Sequence, residues 1–540
     1  MGAVPAPPSN EQIASALAEY ATLLELSDAS GHAVRAFRRG AELVRSTPLP
    51  IADLVRAGRV RELRGVGPGL ERRMRELVET GHLAELEELR RTISPELAAF
   101  GRMHGLGPSR LVAVGAALGI RTVAELRTAA AQGRLQAVPG VGPQTEERIA
   151  AALAAPSARP RTGLMLDRAR ALCDAVAGAL GGIVAGDVRR WVDQPERLAV
   201  VVATDSPDAV RERFAALPEI VALLGPNTGV SLDGVPVELV VAAPQRLGTA
   251  LIEATGSGGY VSALGPLPDA ATEDAVYARL GLEPVPVELR EPGIGHAPEG
   301  LLAEPQIRGD MHCHTTWSDG RASVREMAEA AIARGYEYLA ICDHTRGVQV
   351  VPGLDADDLR RQAAEIESAN EALHPFRVLR GIECDIRSDG SLDLPDDVLA
   401  ELDWVQISLH AGQRAKRADI TARVVEAMHH PAARCLSHPT GRIIGHRAEN
   451  ALDLDRTFDA ALETGVALEV NGLVSRLDLS AAHVREALAA GVRLTCASDA
   501  HSAAGLAGLT NAVHTARRGG APAWAVVNTL PLAAVRTRDI

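Results

Sequence analysis

Residues 309–320 read GDMHCHTTWSDG. His312 and His314 flank Cys313 on a short run, and the two-residue period of a strand turns both imidazoles to one face. Asp319 follows in the turn. Moving outward, similar strand-like runs recur: YLAICDHT, RVLRGIECDI, WVQISLHA, ARCLSHPT, VALEVN and RLTCASDAH. Helical or loop segments such as ASVREMAEAAIARG and AAHVREALAAG separate most of them. Seven runs from Ile307 onward predict a parallel α/β barrel, whose chemistry would sit at the carboxyl ends of the strands.

Those ends are where the metal-ligand types fall. After His312, His314 and Asp319 come His344, Glu383, His410, His438, Asp499 and His501, nine side chains from one rim. A single such histidine reads most simply as a satisfied core or surface residue; nine at successive strand ends do not. Imidazole and carboxylate without thiolate suit Zn²⁺, Mn²⁺ or Fe²⁺ rather than a Cys₄ structural site. Nine exceed the needs of one ion, so two or three ions sharing a bridging carboxylate is the economical arrangement. Clustered ions of that kind favour phosphate-ester hydrolysis. Cys313, Cys342, Cys384, Cys435 and Cys496 belong to no thiolate motif and read as small buried apolar residues. Asp343, Asp385 and Arg442, beside the ligands, have either a supporting or phosphate-contact role or a solvated one.

The first 160 residues are helical in pattern and punctuated three times by Gly-apolar-Gly-Pro: Gly65 and Gly67, Gly105 and Gly107, Gly140 and Gly142. Each reads as helix, glycine hairpin, helix. Such a hairpin lets backbone approach a phosphate while the N–H groups of the next helix point at it, gripping nucleic acid without reading its sequence. Arg72, Arg73, Arg75, Arg110 and Arg148 lie near enough to add charge. A Pro/Ala-rich linker follows at 154–163, then a small α/β unit with the strands RLAVVVAT and VPVELVVAA; residues 245–303 show no strong period.

Composition bounds the rest. With 540 residues there is room for several domains. No apolar run approaches the ~20 residues of a membrane span, and MGAVPAPPSN lacks a signal-peptide pattern, so a cytoplasmic protein with reduced thiols is expected. The net charge of −13 confines any nucleic-acid contact to a local basic surface. The one lysine, Lys416, excludes Schiff-base chemistry in the first 300 residues.

Over nearly its whole length the chain resembles the bacterial and archaeal family X DNA polymerases that carry a C-terminal polymerase-and-histidinol-phosphatase (PHP) domain. The motifs GDMHCHTTWSDG, DHT, GIECDI, SLHAG, SHPTGR and SDAHS stand in family order. The resemblance implies helix-hairpin-helix domains at 1–95 and 96–160, the second fingers-like. It implies a nucleotidyltransferase-like palm at 161–245, a thumb-like domain and linker at 246–303, and a distorted (β/α)7 PHP barrel at 304–540. It implies three divalent ions, Mn²⁺ or Zn²⁺ with Fe²⁺ a third option. His312, His314, Glu383 and Asp499 would hold the first and form the catalytic set. Glu383, His410 and His438 would hold the second, and Asp319, His344 and His501 the third. It implies DNA as partner, contacted through its backbone at 3′ ends or gaps, and removal of 3′ nucleotides in DNA repair.

The palm departs from the family pattern. Gly-Ser before two arginines becomes Gly186-Asp187-Val188-Arg189-Arg190, placing a carboxylate toward the incoming triphosphate. Arg197 and Ala199 stand where two metal-binding aspartates belong, and Glu238 takes the third position. One carboxylate of three does not hold a two-metal site. The expectation is a living phosphoesterase beside a degenerate polymerase centre. The alternatives are a histidinol-phosphatase-like phosphomonoesterase, a DNA-binding scaffold, or a residual gap-filling polymerase.

Overall fold

The computed structural model describes residues 8–27, 30–47, 50–63, 65–155, 163–293, 296–348 and 351–536. The chain divides into two compact units, residues 1–163 with 206–239, and residues 164–205 with 240–540. Most of the Pro/Ala-rich linker expected at 154–163 lies outside the described residues.

The first unit is built mainly from helices. Its hairpins are the three expected ones. Helix Pro68–Thr80 follows Gly65 and Gly67, helix Pro108–Leu118 follows Gly105 and Gly107, and helix Pro143–Ala154 follows Gly140 and Gly142. Proline occupies the first turn of each, where its missing N–H costs nothing. Gly107 (φ 73°) and Gly140 (φ 85°) hold left-handed backbone that a side chain would strain, and nothing lies within 4 Å of where a Cβ would point.

A small sheet, antiparallel in its β1–β2, β3–β4 and β4–β5 pairs, has strands β1 (Ile183–Ala185), β2 (Leu198–Ala203), β3 (Ala222–Gly225), β4 (Thr228–Val230) and β5 (Pro236–Ala242), ordered β1-β2-β5-β4-β3. The chain passes from one unit to the other within β5. β2 and β5 are the two Val-rich runs legible in the sequence; β1, β3 and β4 are too short to have shown there. Residues 245–303, without a readable period, contain helices Leu247–Thr255, Gly258–Leu264 and Glu273–Leu280. The first of these is buried on nearly every side, so it carries no amphipathic stripe.

The seven expected runs form one parallel sheet: β6 (Gly309–Cys313), β7 (Tyr338–Ile341), β8 (Arg377–Asp385), β9 (Trp404–Ser408), β10 (Ala433–Leu436), β11 (Ala467–Asn471) and β12 (Leu494–Ala497), in sequential order. The seam between β12 and β6 nearly closes. Asp499 donates its N–H to His312 O (3.0 Å) and His314 donates to Ala500 O (2.8 Å) just beyond the strand ends. Most strand residues are buried on both faces, as a parallel sheet wrapped by helices requires. Capping boxes at Ser323–Glu326 and Asp355–Asp358 start two of these helices, and left-handed Gly465 and Gly491 end two others. The strand carboxyl ends therefore gather at one mouth.

Candidate metal centre

All nine rim residues converge at that mouth. His312 and His314 present Nε2 atoms 3.1 Å apart, and His314 Nε2 is 3.2 Å from Asp499 Oδ1. Glu383 Oε2 stands 3.7 Å from His312 Nε2 and 3.9 Å from His314 Nε2. Its other oxygen, Oε1, stands 3.0 Å from His438 Nε2 and 3.4 Å from His410 Nε2. On the far side, Asp319 lies 3.2 Å from His501 Nε2 and 3.7 Å from His344 Nε2. His344 reaches both ways, its Nδ1 being 2.8 Å from Glu383 Oε2. His314 also faces Asp319 through Nδ1 at 3.8 Å, so the three expected sets are contiguous rather than separate.

Two donors each about 2.0–2.1 Å from a tetrahedral ion stand about 3.3–3.4 Å apart, a spacing that these pairs bracket, from 2.8 Å to 3.9 Å. Glu383 Oε1 is buried yet accepts no hydrogen bond, and His314 Nδ1, which faces Asp319, is likewise without a hydrogen-bond partner. Lone-pair donors aimed at shared points fit divalent cations. The electrostatics agree. Burial opposes the charge on Glu383, but His410, His344 and His312 outweigh it and hold the carboxyl well below its ordinary range. Asp499 is held well down against burial by His312 and His314. His410 and His501 are held up at about 9 despite burial, His410 by Glu383 and Asp385, His501 by Asp319 and Asp499. His314 is pushed down to about 4 by burial and by the imidazoles around it.

Two supporting residues escaped the sequence. Glu469, on β11, is fully buried and accepts from His312 Nδ1 at 2.7 Å, which turns His312 Nε2 toward the mouth. The same carboxylate accepts from the His438 backbone N–H at 2.6 Å. Gln406, on β9, donates to Glu469 at 2.7 Å. An acid and an amide in the middle of largely apolar strands were the available signal.

The residues beside the ligands are not solvated. Asp343, fully buried, accepts from Thr315 N (2.7 Å), Ser318 Oγ (2.5 Å) and Gln362 Nε2 (2.7 Å), fixing the turn that carries Asp319. Asp385 accepts from the His410 backbone N–H at 3.1 Å and faces its Nδ1 at 3.3 Å. Arg442 pairs with Asp193 at 3.0 Å and donates to the Arg476 and Leu477 carbonyls. All six cysteines are free and buried, as expected of small apolar residues; burial pushes the Cys384 thiol up to about 12.

The palm motif is turned inward. Asp187 does not face an open triphosphate pocket: its carboxylate accepts from the backbone N–H groups of Glu196 (2.9 Å) and Arg197 (2.8 Å) and pairs with Arg190 at 2.5 Å. Arg189 is bound by both oxygens of Glu273, at 2.9 and 2.8 Å. Ala199 is fully buried in β2, and Glu238 lies on β5 opposite Thr228. Among the described residues, the groups of three or more metal-type side chains all lie at the barrel mouth, and none includes Asp187 or Glu238.

At the hairpins the arginines divide. Arg72, Arg110 and Arg148 are exposed. Arg73 is not available to a ligand, since it pairs with Glu85 at 2.6 Å and packs over the Tyr20 and Phe37 rings; Arg75 is tied to Glu71 at 2.8 Å.

Comparison with known proteins matches residues 8–83 to a helix-hairpin-helix domain and 98–155 to a SAM-like helix-hairpin-helix tandem; residues 310–471 match a PHP domain. The chain is 32% identical to the DNA polymerase/3′-5′ exonuclease PolX of Bacillus subtilis (strain 168), over 96% of each chain. The chain is also 30% identical to a probable phosphatase of Acetivibrio thermocellus, over 36% of this chain and 78% of that one. No helix among the described residues is long and apolar enough to cross a membrane.

Proposed function

The chain belongs to the family X DNA polymerases with a C-terminal PHP domain, and from that premise we propose that it trims DNA 3′ ends as a metal-dependent 3′-5′ exonuclease whose nucleotidyl-transfer centre is lost. The observation that carries this is the two-sided Glu383, with one oxygen toward His312 and His314 and the other toward His410 and His438. His312, His314, Glu383 and Asp499 would hold one divalent ion, Glu383, His410 and His438 a second, and Asp319, His344 and His501 a third, as Mn²⁺, Zn²⁺ or Fe²⁺. Ions held there supply the Lewis acidity that polarises a phosphoryl oxygen and makes water nucleophilic at neutral pH.

The protein's own residues do the rest. Glu469 and Asp385 fix the His312 and His410 rings, and Asp343 fixes the turn bearing Asp319. The hairpins at Gly65, Gly67, Gly105, Gly107, Gly140 and Gly142 would hold the DNA backbone through helix-start N–H groups. Loss of polymerase activity rests on Arg197 and Ala199 in place of acids and on Arg189 and Arg190 being neutralised within the fold.

The test is one preparation given two assays. With Mn²⁺, a 5′-labelled single-stranded oligonucleotide should shorten from its 3′ end, and His312→Ala or Asp499→Ala should abolish the loss. With primer, template and dNTPs no extension should occur; clear templated extension sinks the second half. The likeness of the barrel to the probable phosphatase favours a second reading, a small-phosphomonoester hydrolase. Higher turnover on a nucleotide-free phosphomonoester than on the oligonucleotide would establish it.

A further inference from the structure

Four non-glycine residues among those described have left-handed backbone: Trp191 (φ 59°), His438 (φ 26°), Leu477 (φ 45°) and Asp499 (φ 53°). Such conformations persist only where the surroundings over-determine them, and they concentrate at functional sites. His438 and Asp499 belong to the metal mouth. Trp191 belongs to the palm turn, and Leu477 to the loop after β11.

We propose, on the basis of the phosphoesterase reading above, that the palm turn Asp187–Arg197 is a positioning element for the barrel mouth: Trp191 and Asp193 hold Arg442 and the loop Leu473–Asp478, and that loop sets Asp499. The contacts run without a break. The Trp191 ring lies between the Arg170 guanidinium, 3.8 Å from its centroid, and the stacked His514 ring, also at 3.8 Å with 6° between planes. Two groups that close to one centroid must occupy opposite faces. Trp191 also packs against the buried cluster of Leu166, Ile444 and Leu477. Two residues on, Asp193 pairs with Arg442 at 3.0 Å.

Arg442 also donates to loop backbone, through Nε and through the same terminal nitrogen that pairs with Asp193. Nε donates to Arg476 O at 2.7 Å and a terminal nitrogen to Leu477 O, while Ile444 N–H donates to Ser475 O at 2.7 Å. Three successive loop carbonyls are therefore held from the segment that follows His438. The loop reaches Asp499 twice. Arg476 Nε lies 3.8 Å from Asp499 Oδ2, and the same oxygen accepts from Asn471 Nδ2 at 3.0 Å. Asn471 is itself fastened to the loop, its N–H donating to Asp478 O at 2.6 Å and its Oδ1 accepting from Leu473 N at 3.0 Å. With Oδ2 fixed in this way, Asp499 Oδ1 is left facing His314 Nε2. Removing Asp193 leaves Arg442 without its acid partner, and removing the Trp191 ring opens a gap beside Leu477. Either change frees the loop and with it the Asp499 carboxylate.

The test uses the full-length protein with Trp191→Ala, Trp191→Phe, Asp193→Asn and Asp193→Glu. The readouts are kcat and KM for Mn²⁺-dependent trimming of a single-stranded oligonucleotide, Mn²⁺ retained after dialysis, and hydrogen exchange in the 473–479 peptide. Trp191→Ala and Asp193→Asn should each lower kcat by about ten-fold or more with KM within about two-fold, as for lost outer partners of metal ligands. They should also quicken exchange in 473–479, and the Phe and Glu variants should recover most of the loss. If Trp191→Ala fails to fold, Asp193→Asn decides. Wild-type kcat in a folded Asp193→Asn overturns the proposal, and so does unchanged exchange in that peptide. A wild-type protein that hydrolyses no phosphoester instead refutes the phosphoesterase reading, and the exchange measurement still decides whether the turn holds the loop.

Discussion

Glu469→Gln isolates what the buried carboxylate does for the metal mouth. Oε1 of Glu469 accepts from His312 Nδ1 and Gln406 Nε2, both at 2.7 Å; Oε2 accepts from Ser437 Oγ (3.0 Å), the His438 N–H (2.6 Å) and Asn471 Nδ2 (3.3 Å). Glutamine has the same shape but must turn an NH₂ group toward one of these sets, and each contains only donors in the present arrangement. Facing His312, the amide forces the ring proton onto Nε2, the atom aimed at the mouth. Facing His438, it opposes a backbone N–H that cannot rotate away. Loss of such an outer partner costs about 10–100-fold in metal affinity or activity, about 1.4–2.8 kcal/mol. An unsatisfied buried donor costs a further ~1–3 kcal/mol of stability. Mn²⁺ titration of the apo-protein, read by bound metal and by hydrolysis, should show weaker binding and a residual rate. A variant with wild-type affinity and rate would refute the assignment of Glu469 as the group that orients His312.

Three further outcomes follow from the same structure. Arg197→Asp with Ala199→Asp, which returns acids to the palm, should not yield primer extension and should lower Tm, because position 199 lies in an apolar cluster with Ala185, Val201 and Leu251; extension by that variant would contradict the reading. Glu288, 3% exposed at its side chain, is held down at about 2 from 4.5, since His514 and Arg517 outweigh the burial that would raise it. A depressed carboxyl stabilises above its unfolded pKa and loses that contribution as pH falls through the folded one, here about 3 kcal/mol between pH 4.5 and about 2. The Tm gap between wild type and Glu288→Gln should thus be wide at pH 7 and shrink below pH 4.5; a gap independent of pH would contradict it. Gly140→Ala should strain the third hairpin by about 1–2 kcal/mol and weaken binding to single-stranded DNA in fluorescence anisotropy. Unchanged affinity would remove that hairpin from the DNA interface.

The barrel and its nine rim residues were legible because imidazoles and acids recur at strand ends, a pattern that burial alone does not produce. Glu469 and Gln406 were not, because their partners are distant in sequence: Glu469 meets His312 across 157 positions. Neighbours in the sheet supply part of what was missing, since Gln406 stands in register with Glu383 on β8. The fate of the hairpin arginines was equally out of reach. Arg72 and Arg73 are adjacent in sequence, yet one is exposed and the other is packed over Tyr20 and Phe37, a difference set by helical phase against a core that only the folded unit defines.

The packing around the proposed palm turn shows why a single substitution would not create a two-metal site there. Gly186 keeps the tight turn because a Cβ there would lie 2.2 Å from Arg197 O, so the family's glycine survives on backbone grounds alone. Around it the chemistry has closed. Asp187 bonds back to the turn, Arg190 answers Asp187, and Arg189 answers Glu273, so the positive charge of both arginines is neutralised internally. Ala199 has become core, where an unpaired carboxylate would cost several kcal/mol. Meanwhile Trp191 and Asp193 in the same turn contact His514 and Arg442 of the barrel domain. If synthesis is lost, as proposed, the sheet still has a mechanical reason to keep its shape: the turn's remaining partners lie toward the hydrolytic mouth.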